Sequence, residues 1–272
     1  MNRTRFRTQF CFIAPASLLN RYASHSRTHL VLPQIENPQY VEFYQRKRRE
    51  GDFIILDNGA YELKNSVSTL DIHLAIDKYK PQVCALPDYL LQDGEKTFEA
   101  AKLFLLRSRD LYPNVKWMYI PQSAPGDVKS WYRWLWTGVK ELGVDWVGIP
   151  RALATDISVG PNAWLERANA VEQLTMRGIK THCLGMVDGN LKELEMLFWE
   201  GACSVDNSSP IWRGVNGCYL DHPNASAIWQ KAGKPVDFDW NGKTGDAADP
   251  YLDSIVKHNM NLVLTTLGQP RI

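Results

Sequence analysis

Short apolar runs recur along the chain, each leading into polar or turn-forming residues. They are Phe10-Cys11-Phe12-Ile13-Ala14-Pro15, Phe53-Ile54-Ile55-Leu56, Val83-Cys84-Ala85-Leu86, Trp117-Met118-Tyr119-Ile120, Trp146-Val147-Gly148-Ile149, Thr181-His182-Cys183-Leu184-Gly185-Met186, Cys203-Ser204-Val205 and Leu262-Val263-Leu264-Thr265-Thr266. These runs are too short for helices and mostly lack polar alternation, which is the pattern of strands buried on both faces in a parallel sheet. Between them, residues 70–79, 94–111, 128–142, 164–176 and 190–199 read as helices, several closed by a following glycine. Strands alternating with helices predict a single-domain (β/α)8 TIM-type barrel over residues 1–272. A doubly wound open sheet fits less well, because no Gly-rich phosphate loop follows the first run. The polar stretch 234–249, with Gly242 and Gly245, reads as a long loop.

Composition narrows this only a little. The chain has 272 residues, 44% apolar and 22% charged, with a net charge of +1, as expected of a folded globular protein. No apolar run approaches the ~20 residues a membrane helix needs. The basic start, with Arg3, Arg5 and Arg7, precedes an apolar run too short and Pro-interrupted for a signal peptide. A cytoplasmic protein is therefore expected, without membrane association. The five cysteines form no CxxC pair, which argues against a disulfide framework and gives no sign of a structural zinc site.

The chemistry gathers at the strand ends. Asp57, Asp88, Gln122, Arg151, Met186 with Asp188, and Asp206 each follow a predicted strand, so a barrel would bring them to one C-terminal rim. Any single aspartate there could be a helix cap or turn former. Four strands ending in ligand-competent groups make chance caps a weaker account of the set. Two carboxylates facing one cavity allow one to attack carbon while the other carries a proton, which suits reaction at a sugar anomeric carbon. On these residues alone, glycoside hydrolysis and transfer of a base both stay open.

The same positions resemble the tRNA-guanine transglycosylases and their DNA-modifying relatives over roughly residues 50–215. Asp57-Asn58-Gly59-Ala60-Tyr61 resembles the family's Asp-Ser-Gly-Gly-Phe segment, whose aspartate is the general acid/base. Asp88 falls where the family reads the guanine edge, and Ile120-Pro121-Gln122 is similar to its Val-Gln-Gly segment, whose glutamine contacts the base. Gly148 falls near a glycine whose amide meets the base carbonyl. The stretch containing Leu184, Gly185 and Met186 is similar to one that packs on the base. Asp206-Asn207-Ser208-Ser209-Pro210-Ile211-Trp212-Arg213 resembles the Asp-Cys-x-x-Pro-Thr-Arg segment, whose aspartate is the nucleophile.

The resemblance implies catalysis by Asp206 and Asp57, and base recognition by Asp88, Gln122, Gly148, Leu184, Gly185 and Met186. It implies no cofactor and no metal. The family's C-x-C-x-x-C…His zinc pattern is missing after Arg213, where only Cys218 and His222 follow closely, so the zinc-binding subdomain is expected to be lacking. That points to the phage-type branch, which places a 7-deazaguanine such as preQ0 into DNA, in a phage's host or a bacterial cytoplasm. Ala60 and Ser123 replace the family's glycines, so the pocket is expected to differ in shape. DNA and a free 7-deazaguanine base are the implied partners, and a homodimer is left open. A retaining glycoside or nucleoside hydrolase, a tRNA-type enzyme acting on RNA and a non-catalytic DNA binder are the alternatives.

Phosphate contacts are expected from Arg213 and Arg151, and base stacking from Trp212. The runs Arg3/Arg5/Arg7 and Arg46-Lys47-Arg48-Arg49 could serve DNA or form solvated faces. His182, inside an apolar run, reads as a hydrogen-bonded core histidine. His25 and His29 read as loop residues with a conceivable phosphate role.

Overall fold

The computed structural model describes residues 8–160, 162–187, 189–222 and 249–272. The basic arm at Arg3, Arg5 and Arg7, Asp188, and nearly all of the 234–249 loop lie outside them. Eight strands form one parallel sheet: β1 (Gln9–Phe12), β2 (Thr28–Val31), β3 (Phe53–Leu56), β4 (Val83–Ala85), β5 (Lys116–Tyr119), β6 (Trp146–Pro150), β7 (Lys180–Leu184) and β8 (Ser204–Asn207). Their order is β1-β8-β7-β6-β5-β4-β3-β2, so the sheet curls nearly into a closed barrel. The two ends of that order meet at a seam, where Ser26 Oγ donates to Phe10 O at 2.6 Å.

Helices connect the strands as the apolar spacing requires: α1 (Pro38–Arg49), the one-turn α2 (Ala60–Leu63), α3 (Thr69–Tyr79), α4 (Gly94–Ser108), α5 (Val128–Leu142), α6 (Leu165–Thr175), α7 (Leu191–Glu200), α8 (Ser209–Val215) and α9 (Pro250–Thr266). Side-chain caps start most of them. Asn37, Ser68, Asp93, Asp127 and Asn190 each accept a backbone amide of the first turn, satisfying donors that have no partner within the helix. This is the (β/α)8 TIM-type barrel that the sequence pattern predicts.

One expected strand is helical, and one strand lies outside the expected runs. Leu262–Thr266 is the last turn of α9, whose buried residues Ile255, Val256, Asn259, Met260, Val263 and Leu264 follow a helical period. The missing strand is Thr28–Val31, whose Thr28 and His29 make it look polar although all four residues are buried. His29 is therefore no loop residue. It is 1% exposed, and its Nε2 lies 3.1 Å from the equally buried Asp52.

The basic cluster ending α1 also has structural partners. Lys47 pairs with Asp52 at 3.2 Å, and Arg48 donates to Lys80 O at 2.7 Å. Because a barrel helix runs antiparallel to the strands, the end of α1 lies at the strands' N-terminal face. That is the face opposite the rim that carries the acids.

Candidate active site

Alternation along each strand divides the barrel into an inward file and an outward file. Inward positions Ile55, Val83, Ala85, Met118, Ile120, Trp146, Cys11, Ile13 and Leu30 pack into one apolar plug. Two residues beyond that plug the same files turn polar. Ile55 is followed by Asp57, and Ile120 by Gln122. On β8, Ser204 is followed by Asp206. These groups open into a cleft of about 950 Å³ at the strands' C-terminal ends. Asp57, Asp88, Gln122, Arg151, Leu184, Gly185 and Asp206 all line it.

Asp206 is 8% exposed. One carboxylate oxygen accepts the Gly185 amide at 3.0 Å, and His182 Nε2 lies 3.2 Å from that same oxygen. The histidine's other nitrogen is 2.8 Å from Ser204 Oγ. Parallel register explains the grouping: His182 sits opposite Ser204, and Asp206 shares Ser204's face two residues on. Gly185 has φ +69°, a conformation that glycine adopts without strain, and this turn presents its amide to the carboxylate.

Asp57 is 7% exposed, and its carboxylate takes hydrogen bonds from the Asn58 and Gly59 amides. Loss of water pushes its pKa up to about 6; the charge of Asp206 adds to this, while the amides and His182 oppose it. Gly59 has φ +75° and turns the chain sharply into α2, so Ala60, already helical, needs no glycine.

Asp88 is the most enclosed of the three acids, at 3% exposed. Asn58 Nδ2 donates to one of its oxygens at 2.7 Å and Gln122 Nε2 to the other. Burial nevertheless raises its pKa to about 7. Gln122 Oε1 accepts the Leu91 amide at 3.3 Å, and Asn58 Oδ1 accepts the Ala60 amide at 2.9 Å. Gln122 thus orients Asp88, and each Asp88 oxygen keeps a lone pair for a ligand.

Several expected residues lie elsewhere. Gly148 sits within β6, in register with His182, and does not line the cleft. A methyl group there would press on Ile120 and Leu184, so its smallness lets these two cleft-wall side chains approach. Met186 is fully buried in the helix-facing core and does not reach the cleft wall, which Leu184 and Gly185 line. Trp212 and Arg213 are 5% and 1% exposed inside α8. The reason is α9, which packs on α8 so closely that a Gly214 side chain would collide with Val256, and Asn259 donates to Pro210 O at 3.1 Å. Neither residue is presented to a strand of nucleic acid.

The structure adds residues that the sequence pattern passed over. Asn58 holds Asp88, His182 adjoins Asp206, and Glu62 stands on the cleft wall. Glu62 is raised in pKa by lost hydration and by the charge of Asp57, an effect screened by its exposed surface. Asn58 directly follows Asp57, and His182 is found by matching β7 to β8 at period two. Among the described residues no three His, Cys, Asp or Glu side chains converge as metal ligands, and no helix is long and apolar enough to cross a membrane. No protein-family profile matches the chain, and no curated protein matches it significantly.

Proposed function

We propose that this protein exchanges guanine in DNA for a free 7-deazaguanine base through a covalent aspartyl-sugar intermediate. The observation that carries the reading is the unequal acid pair. Asp57 and Asp206 line one cleft, and burial together with the charge of Asp206 keeps a proton on Asp57 up to about pH 6. A carboxyl that keeps its proton beside a second carboxylate suits a division of labour between acid and nucleophile. A cleft at the C-terminal end of a barrel is also where such enzymes place their chemistry.

In this mechanism an extruded guanine nucleotide enters the cleft, since its anomeric carbon is out of reach within a stacked duplex. Asp88 accepts from the guanine N1–H and exocyclic amine, held for that task by Asn58 and Gln122. Asp206 attacks the anomeric carbon, the glycosidic C–N bond breaks with its electron pair going to the base, and Asp57 supplies the proton. The incoming base then gives its N9 proton to Asp57, and N9 attacks the same carbon and releases Asp206. The Gly185 amide and the adjoining His182 fix the orientation of Asp206 for attack.

The same acid pair would serve a hydrolase, with water in place of the incoming base. Incubating guanine-containing DNA with labelled 7-deazaguanine separates the two. Label incorporation is expected; base loss without incorporation would assign hydrolysis.

A further inference from the structure

The cleft has a charge polarity that the acid chemistry leaves unexplained. Its lining carries the carboxylates Asp57, Glu62, Asp88, Asp156 and Asp206, whereas the only lysine and arginine among its described lining residues are Lys64 and Arg151. Both cations gather on Tyr61, a half-exposed ring. The Lys64 ammonium and the Arg151 guanidinium each lie 5.5 Å from the ring centre, and Arg151 Nη2 donates to Tyr61 Oη at 2.9 Å. Among the described residues neither has a carboxylate partner within ion-pair distance. These residues come from separate parts of the rim: Tyr61 and Lys64 follow β3, and Arg151 follows β6.

Two backbone features hold this group. Lys64 closes the one-turn α2 in the left-handed region, at φ +67°, a conformation that costs a lysine more than a glycine. Arg151 leads into a single π-helical turn, Leu153–Ile157, a rare irregularity frequent at functional sites, and Arg151 O accepts the Ala154 amide at 2.9 Å.

We infer that Lys64, Tyr61 and Arg151 form a phosphate subsite that grips the phosphodiester of a nucleic-acid strand beside the nucleotide lowered into the cleft. The inference rests on the proposed nucleic-acid substrate. A nucleotide is neutral at sugar and base but anionic at its phosphates, and phosphates would be repelled by the carboxylate floor. Cations at the mouth receive them there, and an aromatic platform keeps the two cations apart from the acids below. A terminal phosphate of a free nucleotide offers the same chemistry, so the test compares both sources.

Anisotropy of a labelled, guanine-containing single-stranded oligonucleotide is followed against salt for wild type and for Lys64→Gln with Arg151→Gln. Unlabelled deoxyguanosine 5′-monophosphate is the competitor. The double variant is expected to bind the oligonucleotide at least tenfold more weakly at low salt. Its log Kd against log salt slope should fall by about 1.4, two charges at about 0.7 each. Weak competition by the mononucleotide marks a strand phosphate, whereas competition lost in the variant marks a terminal one; each supports the subsite. Lys64→Gly separates binding from folding, because it relieves the left-handed strain. It should melt at a higher temperature than wild type and still bind more weakly. Unchanged affinity and slope in the double variant, or a wild type that binds no oligonucleotide, overturns the subsite. Oligonucleotide binding without any base exchange would overturn the proposed reaction and leave the subsite standing.

Discussion

His182 Nε2 lies 3.2 Å from Asp206 Oδ1, and both side chains are walled in by the barrel interior. The contact links the residue read as nucleophile to a histidine held from behind by Ser204. A group that fixes the orientation of an attacking carboxylate acts on the chemical step more than on substrate binding.

Replacing His182 with Gln should therefore lower kcat while leaving KM nearly unchanged. Misplacing an attacking group by about 1 Å costs roughly a hundredfold, so a loss of about ten- to hundredfold in rate is expected. Ser204→Ala should do the same more weakly. Steady-state exchange kinetics check both, and a change confined to KM would remove His182 from the chemical step.

Asp57 gives a stability signature whose sign is definite. Its folded pKa, about 6, stands above the unfolded value of 3.8, so the folded state holds its proton more tightly. The folded state is relatively favoured below about pH 4, and that advantage is lost as pH rises toward about 6. Asp57→Asn removes the ionisation, and should gain roughly 2 kcal/mol relative to wild type between pH 4 and pH 8. Urea melts at the two pH values measure it; an equal difference at both would contradict the buried, charge-opposed setting of Asp57.

Activity should follow both raised acids. With Asp57 titrating near 6 and Asp88 near 7, kcat/KM is expected to form a narrow bell with its maximum between those values. Asp88→Asn should flatten one limb and relax the choice of base, because the amide presents a donor where guanine also donates. A flat profile in the wild type from pH 5 to 8 would contradict this pairing.

The polypeptide also places a charge pair where it can brace the rim. Arg167 and Glu193 are completely buried and paired. Arg167 Nη2 donates to Gly185 O at 2.8 Å, and Glu193 accepts the Val187 amide at 2.7 Å. Removing one partner strands the other, so Arg167→Met should cost about 3–5 kcal/mol in denaturant unfolding. Adding Glu193→Leu to it should return part of that loss. No recovery in the double variant would mean that the carbonyl contacts, rather than the pair, dominate.

Much of this arrangement was legible in the chain because inward strand positions end in acids. The runs before Asp57, Asp88 and Gln122 are apolar on both faces, that before Asp206 is apolar but for Ser204, and the change to polar residues marks the rim. The strand Thr28–Val31 was hidden because its Thr28 and His29 find buried partners that no local pattern discloses. Leu262–Thr266 misled for the opposite reason, as five residues cannot separate a strand from the last turn of a buried helix. Trp212 and Arg213 adjoin Asp206 in sequence, but α9, whose Asn259 bonds back to Pro210 across 49 positions, covers them. Tyr61, Lys64 and Arg151 meet across 90 positions of sequence, a distance that periodicity does not bridge.

The proposed nucleophilic role of Asp206 is tested most directly by intact-protein mass spectrometry after acid quenching. The protein is incubated with a guanine-containing oligonucleotide and no incoming base. Wild type should gain the mass of the oligonucleotide less one guanine, and Asp206→Ala should gain none. An adduct of the same mass on Asp206→Ala, or base exchange by wild type through which no adduct is ever trapped, would contradict covalent catalysis at Asp206.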